Sequence, residues 1–348
     1  MQPWSANSRV DKFSGEADNE AGLGGGASGR GHPMNYDGVT DEIAKGLIEL
    51  KERIAKAKIP SSKIDETLNI ATWNIREFGK KPRTKAALFY IAEVLSQFDL
   101  IGLVELRDNL TDLRKVIDIL GPEWRAVYSD AMLDPGGNRE RVAYLFDRRA
   151  VTFNGLAAEA QPPRFKQGTE YLSKISWWRS PYMASFSSGN FDFVCLTTHV
   201  RWGDTEANRL IELDALAQWV ADKAAEPTAE DKDIIVMGDF NIPSERSDLF
   251  KAITAKGLMV PDKLLKADLG SNLEKNKRYD QILHRPIYDE SFCNAGGVVD
   301  FYQGDFKALF PNVKTKQAFT YMMSDHLPLW MQINTDTDVQ QLEQLIRG

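Results

Sequence analysis

Six stretches of this chain each bring an apolar run next to residues that can hold a proton or a cation. Asp233-Ile234-Ile235-Val236-Met237-Gly238-Asp239-Phe240-Asn241 reads as a strand buried on both faces, ending in a carboxylate and an amide. Leu68 to Asn74 ends in an asparagine, Asp99 to Glu105 in a glutamate, and Leu196 to His199 in a histidine. Tyr279-Asp280-Gln281-Ile282-Leu283 opens a short strand with an aspartate, and Ser324-Asp325-His326-Leu327 opens the last strand with an aspartate and a histidine. One such junction is an ordinary strand-to-turn boundary, where Asp and Asn are common. Together the six supply two His, three Asp, one Glu and two Asn, the inventory for metal-assisted phosphoester hydrolysis.

That reaction needs an in-line nucleophile, charge relief on the non-bridging oxygens and a proton for the leaving oxygen. Hard oxygen ligands select Mg²⁺, or Mn²⁺ or Ca²⁺, and Mg²⁺ takes only one or two carboxylates. Glu105 is the leading metal ligand, because it ends a buried strand where an unpaired carboxylate is costly. Asn74 is a supporting ligand, and Asp325 with the Asp239/Asn241 pair completes the metal and phosphate shell. The bland alternative for Glu105 is an ion pair with Arg107 or Arg76. His199 and His326 are the acid–base pair, since imidazole titrates near neutrality; which gives and which takes the proton is open. His32 and His284 read as non-catalytic.

The order of these motifs resembles the endonuclease/exonuclease/phosphatase superfamily over roughly residues 66 to 333, and within it the deoxyribonuclease I-like branch. Three further segments carry the resemblance: Gly136-Gly137-Asn138-Arg139-Glu140-Arg141, Trp178-Arg179-Ser180-Pro181 and Tyr279-Asp280-Gln281-Ile282. It implies a four-layer α/β/β/α sandwich, two mixed sheets packed face to face between helices. It also implies that Glu140 orients His199, that Asp280 orients His326, that Asp239 aligns the attacking water and that Asn241 binds a phosphate oxygen. Arg107 and Arg179 match positions that contact DNA phosphates. Asn138, grouped with them as a substrate contact, replaces the branch's sugar-stacking tyrosine, and the branch's disulfide cysteines have no counterparts.

Positioning these residues falls to a domain spanning 66–335. Residues 1–38 form a Gly-rich leader too poor in aliphatics to offset its ordering entropy, and are expected to be disordered. Residues 39–60 carry an amphipathic helix, with Thr40 as N-cap and Ile43, Leu47, Leu50 and Ile54 on one face. Asn109 is expected to cap a helix with Leu110, Leu113, Ile117 and Leu120 inward. Another helix, from about Thr205 to Ala225, carries Leu210, Leu213, Ala217 and Val220 as its stripe. Residues 336–348 form a short amphipathic helix.

Composition bounds the partners. No apolar run approaches the roughly 20 residues of a membrane span. No secretory signal pattern opens the chain, and Cys195 and Cys293 read as reduced core residues, so a cytoplasmic location is expected. The net charge of −7 argues against a general polyanion binder, but basic clusters at Lys80–Lys85, Arg139/Arg141 and Lys275–Arg278 flank three of the motifs. No feature sets an oligomeric state. Trp177, Trp178 and Trp202 lie near the motifs, either to stack on bases or to pack. The leading expectation is a metal-dependent DNA endonuclease of low sequence selectivity. A phosphatase or phosphodiesterase acting on inositol phosphates or sphingolipids is the alternative, kept open by the aromatic run Val298 to Phe310. A non-catalytic binding protein on the same fold comes third.

Overall fold

The computed structural model describes residues 34–132, 138–174, 177–203, 205–265, 269–285, 289–292 and 295–347. The leader up to residue 33, Gly136, Gly137 and Cys293 lie outside the described residues. Strand β1 (Thr67–Phe78) divides the molecule, because its side chains alternate between two apolar compartments. Leu68 and Ile70 face the compartment between the sheets; Ala71, Trp73 and Ile75 face the helices. In β2 (Leu100–Leu106), Leu100 and Val104 take the first side, Ile101 and Leu103 the second. On the inter-sheet face between them, a Cβ at Gly102 would stand 2.7 Å from Thr197 Oγ1, so the sheets approach too closely there for a side chain.

Helices α1 (Asp41–Ala55), α2 (Lys85–Leu95) and α3 (Thr111–Leu120) precede β3 (Trp124–Tyr128) and β4 (Arg141–Asp147). Strands β5 (Thr152–Glu159), β6 (Arg164–Gln167), β7 (Glu170–Ser173), β8 (Tyr182–Ser188) and β9 (Phe191–His199) follow. The chain closes with α4 (Glu206–Ala225), β10 (Ile234–Asp239), α5 (Asp248–Thr254), β11 (Asp280–Arg285), β12 (Gly296–Val298), α6 (Lys316–Thr320), β13 (Leu329–Asn334) and α7 (Asp338–Arg347). One sheet has six strands in the order β12-β13-β1-β2-β4-β3, the other five in the order β11-β10-β9-β8-β5, and β6 pairs with β7 alone. Each large sheet is mixed: β1 runs parallel to β2 and antiparallel to β13, and β10 parallel to β9 and antiparallel to β11. With helices outside both sheets, this is the expected α/β/β/α sandwich.

Threonine or serine caps α1, α2, α4 and α5: Thr40, Thr84, Thr205 and Ser247 each accept from the backbone N–H three residues on. Two expectations need correction. Helix α3 starts at Thr111, whose N–H Asn109 accepts, and its buried side is Leu113, Val116 and Leu120, with Ile117 and Leu110 half-buried. In α4 the buried stripe is Leu213, Leu216, Ala217 and Val220, while Leu210 is exposed in the second turn. On α7, Val339, Leu342 and Ile346 are exposed. Among the described residues no helix is long and apolar enough to cross a membrane.

Helix α1 is pinned by buried Arg53, which donates to the carbonyls of Phe301 (3.1 Å), Tyr302 (2.8 Å) and Asp305 (2.5 Å) and pairs with Glu49 at 2.7 Å. Removing one partner of such a buried charged network typically costs about 3–5 kcal/mol. The aromatic run after β12 packs inward: Phe301, Tyr302, Phe306 and Phe310 all contact Phe319 of α6.

His284 is buried on β11, stacked on Phe292 with ring centroids 3.8 Å apart. Burial pushes its pKa down to about 4, whereas an unfolded imidazole titrates near about 6.5. Between those values the unfolded chain binds a proton that the folded ring refuses. The stability from the neutral ring is therefore complete above about pH 6.5 and falls by about 3 kcal/mol as pH drops toward about 4. In chemical denaturation, His284→Phe is expected to lose less stability than the parent between about pH 7 and about pH 5. Parallel losses in the two proteins would contradict this account.

Candidate active site

Sheet register alone lines up the first three groups. Asp239, the last residue of β10, lies opposite His199 on β9 and opposite Asp280 on β11. Gly238 lets the strand end there: its φ is +136°, and a Cβ would stand 1.9 Å from Thr198 O. The chain then turns through Asn241, held in the left-handed region at φ 52°, whose N–H donates to Asp239 Oδ1 at 2.9 Å. One amide hydrogen of Asn241 is committed to Val200 O at 2.7 Å.

The other sheet contributes from β1, β2 and the turn before β13. Pairing between β1 and β2 breaks after Asn74, and Glu105 adopts φ 62°, a conformation that costs a non-glycine residue on the order of 1 kcal/mol. The break turns the Glu105 carboxylate across β1: Oε1 accepts from Asn74 Nδ2 at 3.0 Å and Oε2 from Glu77 N at 2.9 Å. Asn74 Nδ2 also donates to Asp239 Oδ2 at 3.0 Å, joining the two sheets at their rim. Ser324 staples the final turn to β1, donating to Asn74 O at 2.6 Å and accepting from His326 N at 3.0 Å.

Both imidazoles converge on one oxygen. Asp239 Oδ2 lies 3.6 Å from His199 Nε2 and 3.7 Å from His326 Nε2. The far nitrogen of each ring is held by its own carboxylate: His199 Nδ1 lies 2.7 Å from Glu140 Oε2, and His326 Nδ1 2.7 Å from Asp280 Oδ2. Burial pushes Glu140 upward, but His199, Arg179 and Asn138 outweigh it and hold its pKa at about 2. Burial and Arg179 both push His199 down, yet Glu140 and Asp239 leave it raised. Burial also opposes charge on His326, but Asp280, Asp239 and Asp325 raise it well above the usual imidazole value.

The three residues grouped as substrate contacts are drawn to Glu140. Arg179 Nη2 donates to Glu140 Oε1 at 2.9 Å, Asn138 Nδ2 to the same oxygen at 3.1 Å, and Arg107 Nη1 stands 3.9 Å from it. Arg107 Nη1 is buried with no hydrogen-bond partner among the described residues. Asp325 is not brought to Glu105 by any contact among the described residues; it is half in solvent and pairs with Arg76 at 3.3 Å.

Two places could take a divalent cation. Ligand atoms of Asp239, Asp280 and His326 lie within 4.8 Å of one another, but a cation there would compete with the proton that Asp280 and His326 share. Glu105 with Asn74 fits better. Both offer hard oxygens, and Asn74 Oδ1 is buried without a hydrogen-bond partner among the described residues, an orphan that a cation would satisfy.

Sequence reasoning missed Glu212 and Ser324. Glu212 lies on the buried side of α4, accepts from Trp178 N at 3.3 Å, and is pushed by burial up to about 7. A charged residue one turn before Leu216 on that stripe was the available signal.

The sequence profile described as Endonuclease/Exonuclease/phosphatase family matches residues 71–326. A protein named Deoxyribonuclease from Thioalkalivibrio sp. (strain K90mix) is 32% identical over 196 residues, covering 53% of this chain and 49% of that protein. Deoxyribonuclease-1 of Bos taurus is 26% identical over 282 residues, covering 76% of this chain and 91% of its own. This chain thus spans about half the length of the first relative. A solved endonuclease/exonuclease/phosphatase family protein from Bacteroides thetaiotaomicron superposes with TM-score 0.52 at 16% identity, over 78% of this chain and 98% of its own. That likeness is one of fold.

Glu140 supplies the anion that keeps His199 above its ordinary pKa. Glu140→Gln is expected to lower the His199 pKa, read as the pH midpoint of its imidazole NMR signal. A midpoint that stays in place would show that Glu140 does not control the ring's charge.

Proposed function

Because this chain belongs to the endonuclease/exonuclease/phosphatase family, we propose that it is a divalent-metal-dependent phosphodiester hydrolase that cuts DNA internally with little sequence selectivity. The observation that carries this reading is Asp239 Oδ2 set 3.6 and 3.7 Å from two imidazoles, each locked to its own carboxylate. Relatives named deoxyribonuclease support DNA as the substrate.

A bound Mg²⁺, or Mn²⁺ or Ca²⁺ in its place, supplies Lewis-acid relief of negative charge on the phosphate oxygens. Glu105 and Asn74 would hold it, with Asp325 as a further ligand on release from Arg76. His199 takes a proton from the attacking water as the water oxygen bonds to phosphorus. The P–O bond opposite breaks, and His326 gives its Nε2 proton to the leaving oxygen. His199 suits the base role because Arg179 weakens its hold on a proton, a cation that does not figure among the forces on His326. Asp239 aligns the water, and Glu140 and Asp280 fix the two rings. Asn241, through its second amide hydrogen, and the side of the site that carries the cations Arg107 and Arg179 and the amide of Asn138 would face the phosphate. The inward packing of the aromatic run after β12 gives a lipid-directed reading no support among the described residues.

Supercoiled plasmid incubated with Mg²⁺ is expected to be nicked, and EDTA to stop it. His199→Ala and His326→Ala should each lower the rate by about 10²–10⁴. On a p-nitrophenyl phosphodiester, whose leaving group needs no proton, His326→Ala should lose far less than His199→Ala. The rate should peak above about pH 6.5, since both rings are raised. Turnover of inositol phosphate or sphingomyelin with intact plasmid would overturn the DNA reading, and cutting in EDTA would overturn the metal.

A further inference from the structure

The tryptophans near the site divide by exposure. Trp177 is partly buried and packs edge-on against Trp219, with ring centroids 6.2 Å apart. Trp178 is 40% exposed and Trp202 59%. Each open ring carries a guanidinium: Arg201 sits 3.9 Å from the Trp178 centroid and Arg209 5.0 Å from that of Trp202. Arg209 also donates to Trp202 O at 2.6 Å. Both indoles stay open to water, and packing among the described residues gives no reason for it.

Their placement gives one. Trp178 precedes Arg179, whose guanidinium holds Glu140 and reaches His199 O at 3.3 Å. Trp202 meets Tyr279 edge-on at 5.5 Å, and the Tyr279 ring lies 5.9 Å from that of His326. Trp202 therefore reaches the His326–Asp280 pair through Tyr279, and Trp178 is the chain neighbour of the arginine that holds the His199–Glu140 pair. Resting on the DNA-hydrolase reading, we infer that Trp178 and Trp202, with Arg201 and Arg209, form a stacking platform for the bases of an unpaired nucleic-acid strand entering the site.

Base faces inside a duplex are already stacked on their neighbours. Only a single strand, a frayed end or an extruded base presents a face to an indole. Stacking tolerates any sequence, because every base has such a face. It also suits a chain of net charge −7, which has little general attraction for phosphates to rely on. The two arginines add local cationic contact and hold the rings in place.

The test is fluorescence anisotropy in EDTA, where binding is read without turnover. The probes are a labelled mixed-sequence single strand of about 12 nucleotides, within the span of one single-strand groove, and the same strand annealed to its complement. The parent is expected to bind the single strand more tightly than the duplex. Trp202→Ala and Trp178→Ala should each weaken single-strand binding by about tenfold, and Trp202→Phe should restore most of it. Tyr171→Ala, on the separate β6–β7 hairpin, serves as an exposed-aromatic control with unchanged binding. Duplex bound as tightly as single strand, or alanine variants binding like the parent, would overturn the platform. Tryptophan-dependent binding with neither the plasmid nor the single strand cut in Mg²⁺ would sink the hydrolase reading alone; cutting without tryptophan dependence would sink the platform alone.

Discussion

One carboxylate oxygen, Asp239 Oδ2, fixes the geometry of the whole rim. It is almost wholly buried, and a buried anion is tolerated only when surrounding donors replace its water. Asn74 on one sheet donates to it, and two rings close in as ion-pair partners rather than donors: His199 on the other sheet, and His326 from the turn before β13. The result is an alternating row, Glu140, His199, Asp239, His326, Asp280, in which every ring lies between two carboxylates. With both rings protonated, three anions against two cations leave one net negative charge. A phosphodiester is also an anion, so the row would repel it without help. Arg107 and Arg179 on the Glu140 side, and a divalent cation beside Glu105, are the groups that would reverse that sign.

The backbone is bent where it serves this row. Glu105 and Asn241 are non-glycine residues in the left-handed region, and each follows a break in regular pairing at a strand end. Such conformations persist only where surrounding contacts over-determine them. At Glu105 both carboxylate oxygens are held; at Asn241 the backbone N–H and the side-chain amide are each committed. Beneath the rim the two sheets meet at Gly102, and Ser324 ties the His326 turn to the strand that carries Asn74.

Much of this was legible in the sequence because strand ends advertise themselves. A buried strand reads as an apolar run, and a polar residue closing it must lie at the rim, so Glu105, His199 and Asp239 could be located one by one; Asn74 does not close its strand, which runs on to Phe78, but sits where β1 loses its register with β2. The resemblance paired Glu140 with His199 and Asp280 with His326, but the other partners were not legible. Arg107, Arg179 and Asn138 come from three separate loops and meet at Glu140, while Asp325 meets Arg76; neither encounter has a period or a spacing. Helix faces failed for a related reason. Leu210 fits the apolar stripe of α4 by spacing, but it lines an open groove of about 840 Å³ between α4, α5 and Lys174.

The two imidazoles look equivalent in sequence and differ in their electrostatic surroundings. Each sits between two carboxylates, but His199 also has the Arg179 guanidinium beside it, and His326 has Asp325 as a third carboxylate. A neighbouring cation makes a protonated ring more costly, and an extra anion makes it less so. The proton is therefore held more loosely at His199 than at His326, although burial penalises charge on both. A catalyst needs this difference, since two rings of equal basicity would be protonated or neutral together, leaving either no base or no acid. The asymmetry originates in Arg179, carried on the segment that precedes β8, and in Asp325, the residue next to His326.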